Sequence, residues 1–135
     1  MLSLVVVAGC SEAGPSVVLK GQRFQVEVAD APAEQQRGLM FVTNMPEYQG
    51  MLFVFPREAP RSFWMKNCRI PLDILYFDSG LQLVSAQLNV PPCRAEPCAS
   101  YPSAGPARYV LELNAGMAQR LGVNQGDALE LALTP

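Results

Sequence analysis

Twelve prolines and ten glycines punctuate this chain of 135 residues, leaving few stretches long enough for a multi-turn helix. Proline removes a backbone donor and fixes φ, while glycine carries an entropic penalty inside regular elements. Between these breakers the apolar residues recur mostly with period two, which predicts short strands joined by turns. Residues 23–29 alternate, with Phe24, Val26 and Val28 on one face and Gln25 and Glu27 on the other. Residues 51–55 are continuously apolar between Gly50 and Pro56, the pattern of a strand buried on both faces. Residues 62–66 and 73–77 read as two more strands, and Asp78-Ser79-Gly80 turns the chain into residues 81–88. In that last run the apolar phase shifts between Leu83 and Val84, which predicts a β-bulge. A proline-rich loop follows over residues 89–107. Residues 108–113, with Tyr109, Leu111 and Leu113 in phase, and residues 128–131 supply the remaining strands. A short helix is expected over residues 32–40, with Pro32 in its first turn and Glu34 near the positive end of its dipole. A second carries Met117 and Leu121, with Asn114 as its cap and Gly122 at its end. The expected fold is mainly β: a compact antiparallel β-sandwich or open barrel with two short helices.

Half of the chain is apolar and 16% is charged, which marks it as globular rather than disordered. Ten Lys+Arg against twelve Asp+Glu leave a net charge of −2, with lysine only at Lys20 and Lys66. That balance argues against a nucleic-acid partner, which needs a basic stripe to neutralise phosphates. There is no histidine. Its absence removes the Ser-His and Cys-His nucleophile pairs and the commonest metal ligand, and so argues against a hydrolytic enzyme. No cofactor is expected.

Residues 2–8 form an apolar run too short to span a membrane as a helix. The run leads into Val7-Ala8-Gly9-Cys10, which resembles a bacterial lipobox, and the stretch 11–16 then has the composition of a tether. On this reading residues 1–21 are signal and tether, and the mature chain begins at a lipidated Cys10. The folded domain is residues 22–135. The expected location is the periplasmic side of the cell envelope, with contact to the membrane through the lipid alone; Ser11 permits sorting to an outer membrane. Cysteine usage fits an oxidising compartment. Cys93 and Cys98, five positions apart in the proline-rich loop, are expected to form a local disulfide. A metal site would need more ligands than one C-x4-C pair offers, even with Cys68 added. Cys68 is expected to be a buried, inert thiol.

Several stretches then follow one another in a specific order. They are residues 33–40 (Ala-Glu-Gln-Gln-Arg-Gly-Leu-Met), 50–55 (Gly-Met-Leu-Phe-Val-Phe), 63–67 (Phe-Trp-Met-Lys-Asn), 70–73 (Ile-Pro-Leu-Asp), 109–113 (Tyr-Val-Leu-Glu-Leu) and Gly126-Asp127. Together they closely resemble the bacterial and archaeal domain-of-unknown-function family 192, over roughly residues 22–132. The resemblance implies a compact, mostly antiparallel β-sandwich, often secreted or lipid-anchored, with no established biochemical activity. Two positions depart from the family's pattern. Ala31 stands where a helix-capping threonine is usual, leaving Asp30 to cap or the helix to fray. Cys68 stands where a threonine usually follows the asparagine, exchanging a hydroxyl for a weakly bonding thiol.

Within the matched stretches Arg37, Trp64, Lys66, Asn67 and Asp73 are the candidate ligand-binding residues. Arg37 and Lys66 suit an anion, Asn67 an amide or hydroxyl, Asp73 a sugar hydroxyl, and Trp64 a ring face. The alternative is structural: Asp73 paired with Lys66 or Arg37, Asn67 forming a turn, and Trp64 in the core. Met40, Met45, Met51 and Met65 would suit a soft cuprous ion, but thioethers more often fill cores. Three functions therefore stand open. The first is a non-enzymatic envelope module binding a small polar ligand, a glycan or an anion. The second is an accessory protein docking a membrane-proximal envelope protein. The third is a small enzyme using Asp73 and Lys66.

Overall fold

A computed structural model describes residues 14–134, so Cys10 and the expected anchor lie outside the described residues. The chain runs through β1 (Ser16–Leu19), β2 (Gln22–Ala29), α1 (Pro32–Arg37), β3 (Gln49–Ala59), β4 (Ser62–Trp64) and β5 (Leu72–Phe77). It continues through β6 (Leu83–Val90), β7 (Ser100–Pro102), β8 (Ala107–Asn114), α2 (Met117–Leu121) and β9 (Leu129–Ala132). Seven strands form one sheet in the order β6-β5-β8-β3-β2-β1-β9, and β4 pairs with β7 in a small second sheet. The large sheet curls until its two edges meet. Gln82 bridges Ala128, and the amides of Leu83 and Leu129 donate to Asp127 and Leu81 carbonyls at 2.9 and 2.8 Å. The fold is therefore mainly β and takes the barrel side of the expectation, with both edges partly closed against further pairing.

Three details differ from the sequence reading, each for a local reason. β1 lies upstream of Gln22, because Val17 and Leu19 are fully buried between β2 and β9. β2 and β3 are parallel, since the connection between them carries α1 and is long enough to cross over. α1 stops at Arg37 rather than Met40, where Gly38 takes a positive φ of 49°. Ala31 indeed offers no side-chain cap; Glu34 instead reaches back to accept the Ala31 amide at 3.1 Å. The expected bulge is present: the β5–β6 register passes from Tyr76↔Ser85 to Phe77↔Leu83, so Val84 is the extra residue.

Because strand residues alternate faces, the sheet carries two cores. Inside the curl, every strand of the large sheet contributes, with Leu19, Phe24, Leu52, Leu75, Phe77, Leu83, Leu111 and Leu129 packed around Met117 and Ala118 of α2. On the outside, Met51, Phe53, Ile74, Tyr76 and Val110 form a second cluster under Phe63, Met65, Cys68 and Tyr101. Each fully buried aromatic or branched side chain here contributes roughly 1.5–3 kcal/mol. The outer face is therefore roofed by the small sheet and its loops rather than open to water. That roof makes the cavity described next.

Candidate functional site

Met51, Phe53 and Phe55 project from the outer face of β3, and Val110 and Glu112 from the same face of β8, with Met51 opposite Glu112. α1 is tied to this face by Gln35, whose side-chain amide donates to the carbonyls of Ala29 and Val54 at 3.2 and 2.9 Å. From the roof, the Phe63 ring lies 4.9 Å from Phe53 and is stacked 6.0 Å from Tyr76. Between the end of α1, β3, β4 and β8 these elements leave a cavity of about 580 Å³, a size that suits a small organic ligand.

Three of the five candidate residues meet there: Arg37, Trp64 and Lys66 all line the cavity. Trp64 is 46% exposed, so it is not a core residue. The Lys66 ammonium lies 5.2 Å from its ring centroid and pairs with Glu96 at 2.9 Å. Glu96 sits inside the loop closed by the Cys93–Cys98 disulfide, where the two Cα atoms are 5.5 Å apart. That loop is docked beside the site, because the Cys68 and Cys93 amides both donate to the Met65 carbonyl at 3.2 Å. Arg61 also lines the cavity, but its Nε donates to the Ala107 carbonyl at 3.0 Å and its guanidinium stacks 3.8 Å over Phe55. The Arg37 side chain makes no hydrogen bond or ion pair among the described residues, which leaves its charge available at the mouth.

The other two candidates are placed elsewhere. Asn67 adopts a positive φ of 58°, accepts the Phe41 amide on its backbone carbonyl at 2.8 Å, and directs its side-chain amide to the Met40 sulfur at 3.9 Å. Asp73 is fully buried on the inner face of β5, in phase with Leu75 and Phe77. Its oxygens accept the amides of Asn89 and Ala118, each at 2.9 Å. It thus caps α2, the role the sequence reading gave to Asn114, whose side chain instead donates to the Met45 and Pro46 carbonyls. The pair Asp73 and Lys66 is not assembled. Of the methionines, Met51 and Met65 are buried in the outer core and Met45 packs against it.

A residue not singled out from sequence completes the site. Glu112 is only 5% exposed and lines the cavity, yet no hydrogen bond or ion pair reaches its carboxyl among the described residues. Burial pushes its pKa up to about 8. Cys68 is a free thiol pushed up to about 11 by burial and by Glu112, and burial likewise raises the Tyr76 phenol, which donates to the Tyr101 carbonyl. The signal for Glu112 was present but indirect: a strand lying between two doubly buried neighbours cannot turn a glutamate to open water.

Comparison with known proteins gives two solved structures of the same architecture and a relative by sequence. A solved structure from Sinorhizobium meliloti, described as a candidate transcription regulator, is 38% identical with a TM-score of 0.78, covering 87% of this chain and 91% of that one. A protein of unknown function from Novosphingobium aromaticivorans is 36% identical with a TM-score of 0.77, covering 86% and 82%. A UPF0127 protein from Thermococcus sibiricus is 27% identical over 108 residues, and the match spans 78% of this chain and 65% of the relative's length. The family model DUF192, described as "Uncharacterized ACR", matches residues 16–131, so the chain belongs to that family.

Proposed function

We propose that this chain is a non-enzymatic binding module of the cell envelope, anchored through Cys10, that holds a small polar ligand in the cavity beneath β4. The observation that carries this reading is the convergence of Arg37, Trp64 and Lys66 on one cavity with a buried, unpaired carboxyl at Glu112. An aromatic face, cations and a few convergent polar groups around an apolar wall are the usual makings of a small-molecule site. A net charge of −2 gives no support to a nucleic-acid role such as the description of the Sinorhizobium relative implies.

Trp64 is the sole tryptophan, so its emission reports directly on the cavity. Titration with glycan and anion panels is expected to give a saturable change with at least one compound. Arg37→Ala and Lys66→Ala should abolish the response with unchanged melting behaviour. Saturable change that survives both substitutions would sink the assignment. A second reading, docking of a membrane-proximal protein, is favoured by one observation: Phe41 is 57% exposed and, with Trp64, leaves apolar surface uncovered. Crosslinking from position 41 or 64 to one envelope protein, with no response to any small molecule, would favour that reading. Fatty-acid labelling of the full chain tests the anchor, and label that persists in Cys10→Ser would remove it.

A further inference from the structure

The cavity is asymmetric in its chemistry. Its mouth and walls carry Arg37, Arg61 and Lys66, and its single acid, Glu112, is buried. A cationic ligand would meet Arg37, Arg61 and the Lys66–Glu96 pair before reaching that acid. An anionic one is drawn in, and its presence disfavours ionisation of Glu112 still further. A protonated carboxyl has one O–H to donate, and a hydrogen bond to it is stronger where water is largely excluded. Among the described residues no hydrogen bond reaches the Glu112 carboxyl, and its oxygens are open to the cavity. β3 presents only Phe53 and Phe55 to the cavity, and the Tyr76 hydroxyl of β5 is directed to the Tyr101 carbonyl. A ligand that fills the cavity is therefore placed to accept that proton in a hydrogen bond.

We infer that the ligand is an amphipathic organic anion: an acid group at the mouth on Arg37, an apolar body against Phe53 and Phe63, and an inner carbonyl that accepts a hydrogen bond from Glu112. This deepens the small-ligand reading above and rests on it. Size, charge and polarity are then all specified, with Arg37 selecting the acid and Glu112 selecting the acceptor.

Calorimetric titration of the whole chain with three probes tests the inference: 4-acetylbenzoate, its near-isostere 4-isopropylbenzoate, which lacks the carbonyl, and benzamidine. At slightly acidic pH 4-acetylbenzoate is expected to bind about tenfold tighter than 4-isopropylbenzoate, the value of one well-made buried hydrogen bond. Benzamidine should be the weakest. Glu112→Gln, which still donates, should keep the preference, and Glu112→Leu should lose it. In the parent the preference should collapse above the Glu112 titration, whereas in Glu112→Gln it should not. Arg37→Ala should weaken both benzoates alike. Equal binding of the two benzoates, or tightest binding of benzamidine, overturns this inference and leaves the cavity reading standing. No binding by any probe, with folded protein, overturns both.

Discussion

Asp73 and Glu112 are both buried acids, and their partners set them apart. Asp73 is satisfied by two backbone amides, so it belongs to the architecture. Replacing it with Asn turns an NH2 toward one of those donors, and a cost of about 1–3 kcal/mol is expected. Lys66→Ala, which breaks an exposed pair with Glu96, should change stability by no more than about 0.5 kcal/mol. Denaturant melts of the two variants measure the contrast. Glu112 is the opposite case, a carboxyl the fold leaves unpaired. Its pKa is raised from an ordinary 4.5 to about 8, so between those values the native state holds a proton that the unfolded chain releases. The sign follows: its contribution is most favourable below about pH 4.5 and is lost as pH climbs through about 8. Melting temperature should therefore decline across that window, and Glu112→Gln should flatten the decline. An unchanged slope in that variant would show that other groups govern it.

At Gly50 the backbone of β3 lies close against β8. A Cβ there would stand 2.5 Å from the Glu112 carbonyl oxygen and 2.8 Å from Leu113 Cδ2. Gly50→Ala must push β3 off β8, and a loss of about 1–3 kcal/mol is expected in thermal melts. Because Glu112 sits at that contact, the same variant should also disturb the cavity, visible as a shift in Trp64 emission. At this scale the sequence was informative. The alternation of β2, the continuous apolar run of β3, the bulge at Val84 and the Gly122 cap were each set by neighbouring residues and are found in the fold. The errors lay at ends. Proline restricts where α1 starts, but nothing local to residues 114–117 announces that a distant Asp73 will cap α2. The disulfide, fixed by spacing in one loop, was equally legible, and it holds Glu96 beside Lys66.

The order of strands was not legible, and that order makes the site. Residues 108–113 read as a strand with Tyr109, Leu111 and Leu113 in phase; only placement between β3 and β5, under a roof of β4 and β7, buries the other face, which carries Glu112. Arg37, Trp64 and Lys66 were identified from polar chemistry within matched stretches, whereas Glu112 required the whole assembly. A last consequence concerns the pairing of β1 with β9. These are the first and last strands, antiparallel, with Ser16 opposite Ala132, so both described ends of the chain leave from the same end of one ladder. A force that separates the two ends therefore loads the hydrogen bonds of that ladder one after another, as a zipper is opened, instead of shearing them together. Stretched between its termini, the protein should yield at low force and peel from β1 and β9 inward. A protein held by one terminus alone bears no such load. Single-molecule stretching should show this directly: early loss of β1 and β9, followed by a sturdier remainder that contains the cavity.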